Sequence, residues 1–215
     1  MAGSLPSALT VVASAFTAGP VFSSTTAASI LPQSQSPTAI YTFGSGFIYA
    51  GQRFKAVASG TATFPTAHTD YAVNMYALLG GAVKIGNAVL YSNNVVAPPA
   101  NTTYISAFGQ QGQQLNLTQT TPASPVSWLY EMWGTCISSG ASGTLGWSSR
   151  MTVTMYLSPE RLLLAPNQFI TVSSGNATAA FNDAASLTFD VFAGFSNITA
   201  GPTLQLQDYE LSTTV

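Results

Sequence analysis

Charge is what this sequence has least of. Only 6% of its 215 residues are Asp, Glu, Lys or Arg, whereas a globular chain ordinarily carries about a quarter. Ser, Thr, Gln and Asn stand in their place, so the surface is polar and nearly uncharged. The five basic residues, Arg53, Lys55, Lys84, Arg150 and Arg161, are scattered, and the formal net charge is −2. That leaves no basic footprint for a phosphate backbone, and we expect no nucleic-acid partner. A weakly charged surface does little to repel copies of itself. Such a surface suits a subunit held permanently in an assembly.

Cysteine and histidine are nearly missing as well. Cys136 alone excludes an intramolecular disulfide framework, and with His68 as the one imidazole there is no Cys/His set for zinc. Long apolar runs are also absent. The stretch "ALTVVASAF" is interrupted by Ser14 and ended by "TAGP", well short of the roughly 18 residues of a membrane span, and no basic region precedes it. We therefore expect neither a membrane partner nor a secretory signal.

The inventory for catalysis is thin. His68 in "TAHTDY" has Asp70 two residues on, but no strained nucleophile turn of the G-x-S-x-G kind accompanies it, and a loop histidine explains it better. Asp190 and Glu210 sit on the two closing strands, where a shared sheet would set them face to face as in glycosidases. Their places on outward positions of half-buried strands read more simply as solvated acids. Asp183 with Asn182 is the nearest thing to a hard-oxygen cluster, and "FND" is a turn sequence. We expect no enzyme activity, no metal and no cofactor. The four Asn-x-Ser/Thr sites at Asn101, Asn116, Asn176 and Asn197 are near chance frequency in so Ser/Thr-rich a chain, and "GQQGQQ" is a polar turn.

What the chain does have is strand texture. Residues 1–38 carry Pro6, Pro20, Pro32 and Pro37, which exclude a long helix and predict an extended N-terminal arm. From 39 to 215, short β-like runs alternate with Gly, Pro and Asn, giving roughly ten strands at the spacing of an all-β sandwich or barrel. "SPVSWLYEMWGTCISSG" and "TLGWSSRMTVTMYL" form a long hairpin across "SGASG". In "SLTFDVFAGF", Leu187, Phe189, Val191 and Phe195 share a buried face. In "TLQLQDYEL", Leu204 and Leu206 keep a period of two, and Tyr209 and Leu211 resume it out of phase, which predicts a bulge at Gln207 and Asp208. Met151, Val153 and Met155 join this core.

Aromatic residues on a strand offer a second use. Trp128, Tyr130 and Trp133 in "SWLYEMWGTC" are the residues from which a sugar-stacking platform would be built. Trp128, Tyr130 and Met132 fall on one face, and Leu129, Glu131 and Trp133 on the other. Core packing and a subunit interface account for both faces without a ligand.

The order "SGTLGWSSRMTVTMYL", "FNDAASLTFDVFAGF", "TLQLQDYEL" resembles the C-terminal portion of β-sandwich domains in structural proteins of tailed bacteriophages. "FKAVASGTATF" and "YAVNMYALLGG" are similar to strands of their first half. The resemblance covers residues 40–212 through short motifs. It implies a jelly-roll-like antiparallel sandwich on the virion surface, commonly trimeric. Its expected role is head decoration (cement), bound to the major capsid protein or another virion protein. The alternative is a fibre or tail-associated module that binds a glycan or host receptor. No catalytic residue is carried over. The arm has no counterpart in these domains, and physics gives it a role. Its apolar residues Leu5, Leu9, Val11, Val12, Phe16, Val21, Phe22, Ile30 and Leu31 are expected to be assembly contacts, buried on another chain.

Overall fold

The computed structural model describes residues 8–63, 71–81, 83–93, 103–108, 114–119, 126–156, 167–195, 198 and 201–214. They form fourteen strands and, among the described residues, no helix. One sheet runs in the order β1 (Leu9–Ala15), β14 (Thr203–Thr214), β5 (Arg53–Thr63), β10 (Val126–Ser138), β11 (Gly143–Tyr156), β12 (Asn167–Phe181), with β2 (Val21–Phe22) also on β14. The other runs β3 (Ala28–Ser29), β13 (Leu187–Phe195), β6 (Tyr71–Leu79), β7 (Val83–Asn93), β8 (Thr103–Phe108), β9 (Gln114–Gln119), with β4 (Tyr41–Phe43) also on β13. All pairings are antiparallel. The inner faces of both sheets supply one core, so the chain is a β-sandwich. β13 lies beside β6 and β14 beside β5, the nested return of a jelly-roll-like path.

Packing at the centre follows from alternating small and large residues. β5 points Ala56, Ala58, Gly60 and Ala62 inward, and both its neighbours place bulk over these gaps. Ala58 stands between Tyr130 and Tyr209, Ala56 between Met132 and Leu211, and Gly60 between Trp128 and Leu206. Small residues on a middle strand let large rings interdigitate at close-packed density. Burial pushes the Tyr130 and Tyr209 phenols above their usual range.

Several expectations hold. Leu187, Phe189, Val191, Phe195, Met151, Leu204 and Leu206 are buried together; the side chains of Val153 and Met155 lie outside the described residues. The β14 register shifts between Leu206 and Asp208, and that bulge returns Tyr209 and Leu211 to the core side.

The arm requires a correction. From residue 8 onward, residues 1–38 are woven into the sandwich: β1 and β2 pair in tandem with β14, and β3 pairs with β13. Ile30 and Leu31 are fully buried, and Phe22 stacks on Phe195 with ring centroids 5.8 Å apart. Gln35 fastens the segment, its amide donating to the carbonyls of Ser14 and Pro37 and its Oε1 accepting the Phe16 N–H. The prolines do exclude a long helix, but two-residue strands fit between them and satisfy edge groups of β13 and β14. Phe22, Ile30 and Leu31, and the half-buried Val12, are therefore spent within the chain's own core rather than on a neighbour. Leu5 lies outside the described residues.

Candidate functional site

Alternation on β5, β10, β11 and β14 turns Arg53, Lys55, Glu131, Arg150, Asp208 and Glu210 to the outer face of the first sheet. Three of the chain's five basic residues are thus gathered on one face, with an equal number of acids. Two cross-strand rows define its centre. One runs Val11, Ser212, Lys55, Trp133, Ser148; the next runs Ser14, Glu210, Val57, Glu131, Arg150.

Arg150 organises these rows. It forms an ion pair with the buried Glu131 directly opposite on β10, and its guanidinium sits over the Trp133 indole, 5.2 Å from the ring centroid. The Glu131 hydrogen bond and charge hold the guanidinium above its already high range, so the group over the indole is a full cation.

Beside the indole, a groove of about 500 Å³ opens among Trp133, Thr135, Ile137, Gly146, Ser148 and Thr178. Trp147 also contributes to its wall while packing against the core. Gly146 forms the floor between Trp133 and Ile137. A Cβ there would lie 3.2 Å from Ile137 Cδ1, so a larger side chain at 146 would fill the space.

A second feature lies along one margin of the same sheet. Leu9, Val11, Phe16 and Val21, 45%, 51%, 60% and 64% exposed, are the large apolar residues that β1, β2 and their connection leave in solvent. Four of the nine expected assembly contacts are therefore available on the surface.

The three aromatics weighed as a sugar platform divide between the two faces, as their alternation predicts. Trp128 and Tyr130 point inward and are 2% and 0% exposed, leaving Trp133 alone on the outer face. The residues that join it, Gly146, Ser148, Arg150 and Thr178, come from β11 and β12. Sequence reasoning missed them: pairing the two strands directly across "SGASG" sets Ser149 opposite Trp133, and the register shift between Cys136 and Ser138 brings Ser148 there instead.

The paired carboxylates are also separated, with Asp190 on β13 of one sheet and Glu210 on β14 of the other. Asp190 is held by Ser29 Oγ at 2.6 Å and the Val191 N–H at 2.7 Å. Asn182 makes the expected turn, its Oδ1 accepting the Ala184 N–H. The Cys136 thiol is buried, and desolvation together with the Asp183 charge raises it above its usual range, the opposite of an activated nucleophile. His68 and Asp70 lie outside the described residues. Among the described residues no three metal-ligating side chains cluster.

No protein-family model and no curated protein matches the chain. Among solved structures it is similar to the CBM2 module of Lactobacillus casei BL23 phage J-1 evolved Dit, at 15% identity and a TM-score of 0.34, covering 82% of this chain and 69% of that one. It is also similar to alginate lyase A1-II', a member of polysaccharide lyase family-7, at 10% identity and a TM-score of 0.27, covering 77% of this chain and 63% of the lyase.

Proposed function

We propose that this chain is a structural protein of a tailed-phage virion, a non-enzymatic decoration (cement) subunit held on the major capsid protein or another virion protein. The observation that carries the reading is the exposed apolar margin of Leu9, Val11, Phe16 and Val21 on a sandwich with so little surface charge. Its support is energetic as well as compositional. Burying each of these side chains contributes roughly 1.5–3 kcal/mol, and β1 and β2 are already ordered on β14, so little conformational entropy is lost on docking. Repetition in a symmetric oligomer, a trimer in the resemblance drawn above, multiplies the effect without any salt bridge.

The test is a triple variant, Val11→Ser, Phe16→Ser and Val21→Ser, assayed for occupancy on particles. We expect the fold to be kept and attachment lost; full occupancy would overturn the reading.

A second reading, a fibre or tail-associated module that contacts a host glycan or receptor, is favoured by the groove beside Trp133. The two readings use different surfaces.

A further inference from the structure

We infer that the groove over Gly146 is a binding site for a neutral, pyranose-containing glycan, with the Trp133 indole as its stacking wall. The inference deepens the second reading above and rests on it.

The shape comes first. Gly146 and Arg150 stand on β11 on either side of Ser148, the residue opposite Trp133. Arg150 covers one flank of the indole, and the groove opens on the other, over the backbone of Gly146. The ring is therefore fixed before any ligand arrives, because the ion pair with Glu131 anchors the guanidinium that covers it. A pre-set wall spares a ligand the cost of ordering it. The groove, about 500 Å³, is open along the sheet surface and has room for a sugar unit laid against it.

The chemistry then selects the ligand. Two walls are apolar, the indole of Trp133 and the exposed side chain of Ile137, and between them three strands each bring a hydroxyl: Thr135 from β10, Ser148 from β11 and Thr178 from β12. A pyranose ring has matching halves, a C–H face that packs on an aromatic ring and a rim of hydroxyls that exchange hydrogen bonds with Ser and Thr. A purely aliphatic ligand would leave the hydroxyls facing apolar surface. An anion would find the neighbouring guanidinium already committed to a carboxylate. Trp128 and Tyr130 take no part, since both are core residues.

The probe is a printed array of neutral gluco-, galacto- and N-acetylglucosamine oligosaccharides, followed by calorimetric titration of the best binder. Two variants act on different walls of the groove: Trp133→Ala removes the stacking wall and Gly146→Val fills the floor. We expect wild-type binding, at least a tenfold loss in both variants, and unchanged thermal midpoints for at least one of them. Absence of binding to every neutral oligosaccharide, binding confined to acidic ones, or equal affinity in wild type and both variants would overturn the assignment. The margin variant Val11→Ser, Phe16→Ser, Val21→Ser should bind the same sugar as the wild type. Gly146→Val should keep full particle occupancy, so failure of the glycan site and failure of the attachment reading give different results.

Discussion

Gly60 and Trp128 pair across β5 and β10, and the indole occupies the space a side chain at position 60 would need. A Cβ on Gly60 would lie 2.7 Å from Trp128 Cζ2 and 2.0 Å from the Gln205 carbonyl oxygen. Gly60→Ala should therefore cost about 1–3 kcal/mol in urea unfolding, through displacement of backbone on one side and a ring on the other. Gly44→Ala, at a position with nothing near its Cβ, should stay within about 0.5 kcal/mol of wild type. Equal midpoints for the two variants would contradict this account of the core.

Phe189 lies on the inner face of β13 and is 1% exposed. Phe189→Ala should destabilise by about 3–5 kcal/mol. A loss under about 1 kcal/mol would mean that the β13 register is wrong.

Removal of residues 1–38 should abolish cooperative unfolding, because it strips β1 and β2 from β14 and takes Phe22, Ile30 and Leu31 out of the core. A truncated chain that melts at the wild-type temperature would show the segment to be a detachable arm after all.

Asp190 is half-buried, and desolvation raises its pKa despite the hydrogen bonds from Ser29 and Val191. The native state then holds the proton more tightly than the unfolded chain does. Between the unfolded value and the raised native one, stability falls as pH rises, and the loss is complete above the native value. Asp190→Asn keeps an acceptor at Oδ1 and carries no charge. It should flatten that segment of the pH profile and be at least as stable as wild type at pH 7. Urea midpoints at pH 4 and pH 7 check this, and a variant weaker by more than about 1 kcal/mol at pH 7 would refute it.

Attachment through Leu9, Val11, Phe16 and Val21 should be nearly insensitive to ionic strength, since the four contact side chains are themselves apolar. Release of the full-length protein from particles by moderate salt would argue for an ionic contact instead.

The parts of the fold that were legible in the sequence are those governed by local periodicity. The inward face of β13, the β10–β11 hairpin and the Gln207 bulge each follow from a two-residue alternation within a dozen residues. The destination of residues 8–38 was not legible, because β1 finds its partner some 200 positions away and nothing local to "LTVVASA" names β14. The candidate site was half legible. Trp133 was placed on the correct face, but its neighbours arrive from two further strands. Trp128 and Tyr130 share their face with Met132, and that alternation already read as core packing.

Leu9 pairs with Thr214, so the start of β1 and the end of β14 run side by side. The Tyr49 hydroxyl donates to the Thr214 carbonyl at the same corner. A peptide grafted directly onto Leu9 and one grafted directly onto Thr214 would leave the sheet at a single corner. Linking Thr214 to Leu9 through a short polar loop and opening the chain at the Gly80–Gly81 turn would give a circular permutant that preserves every strand pairing described above.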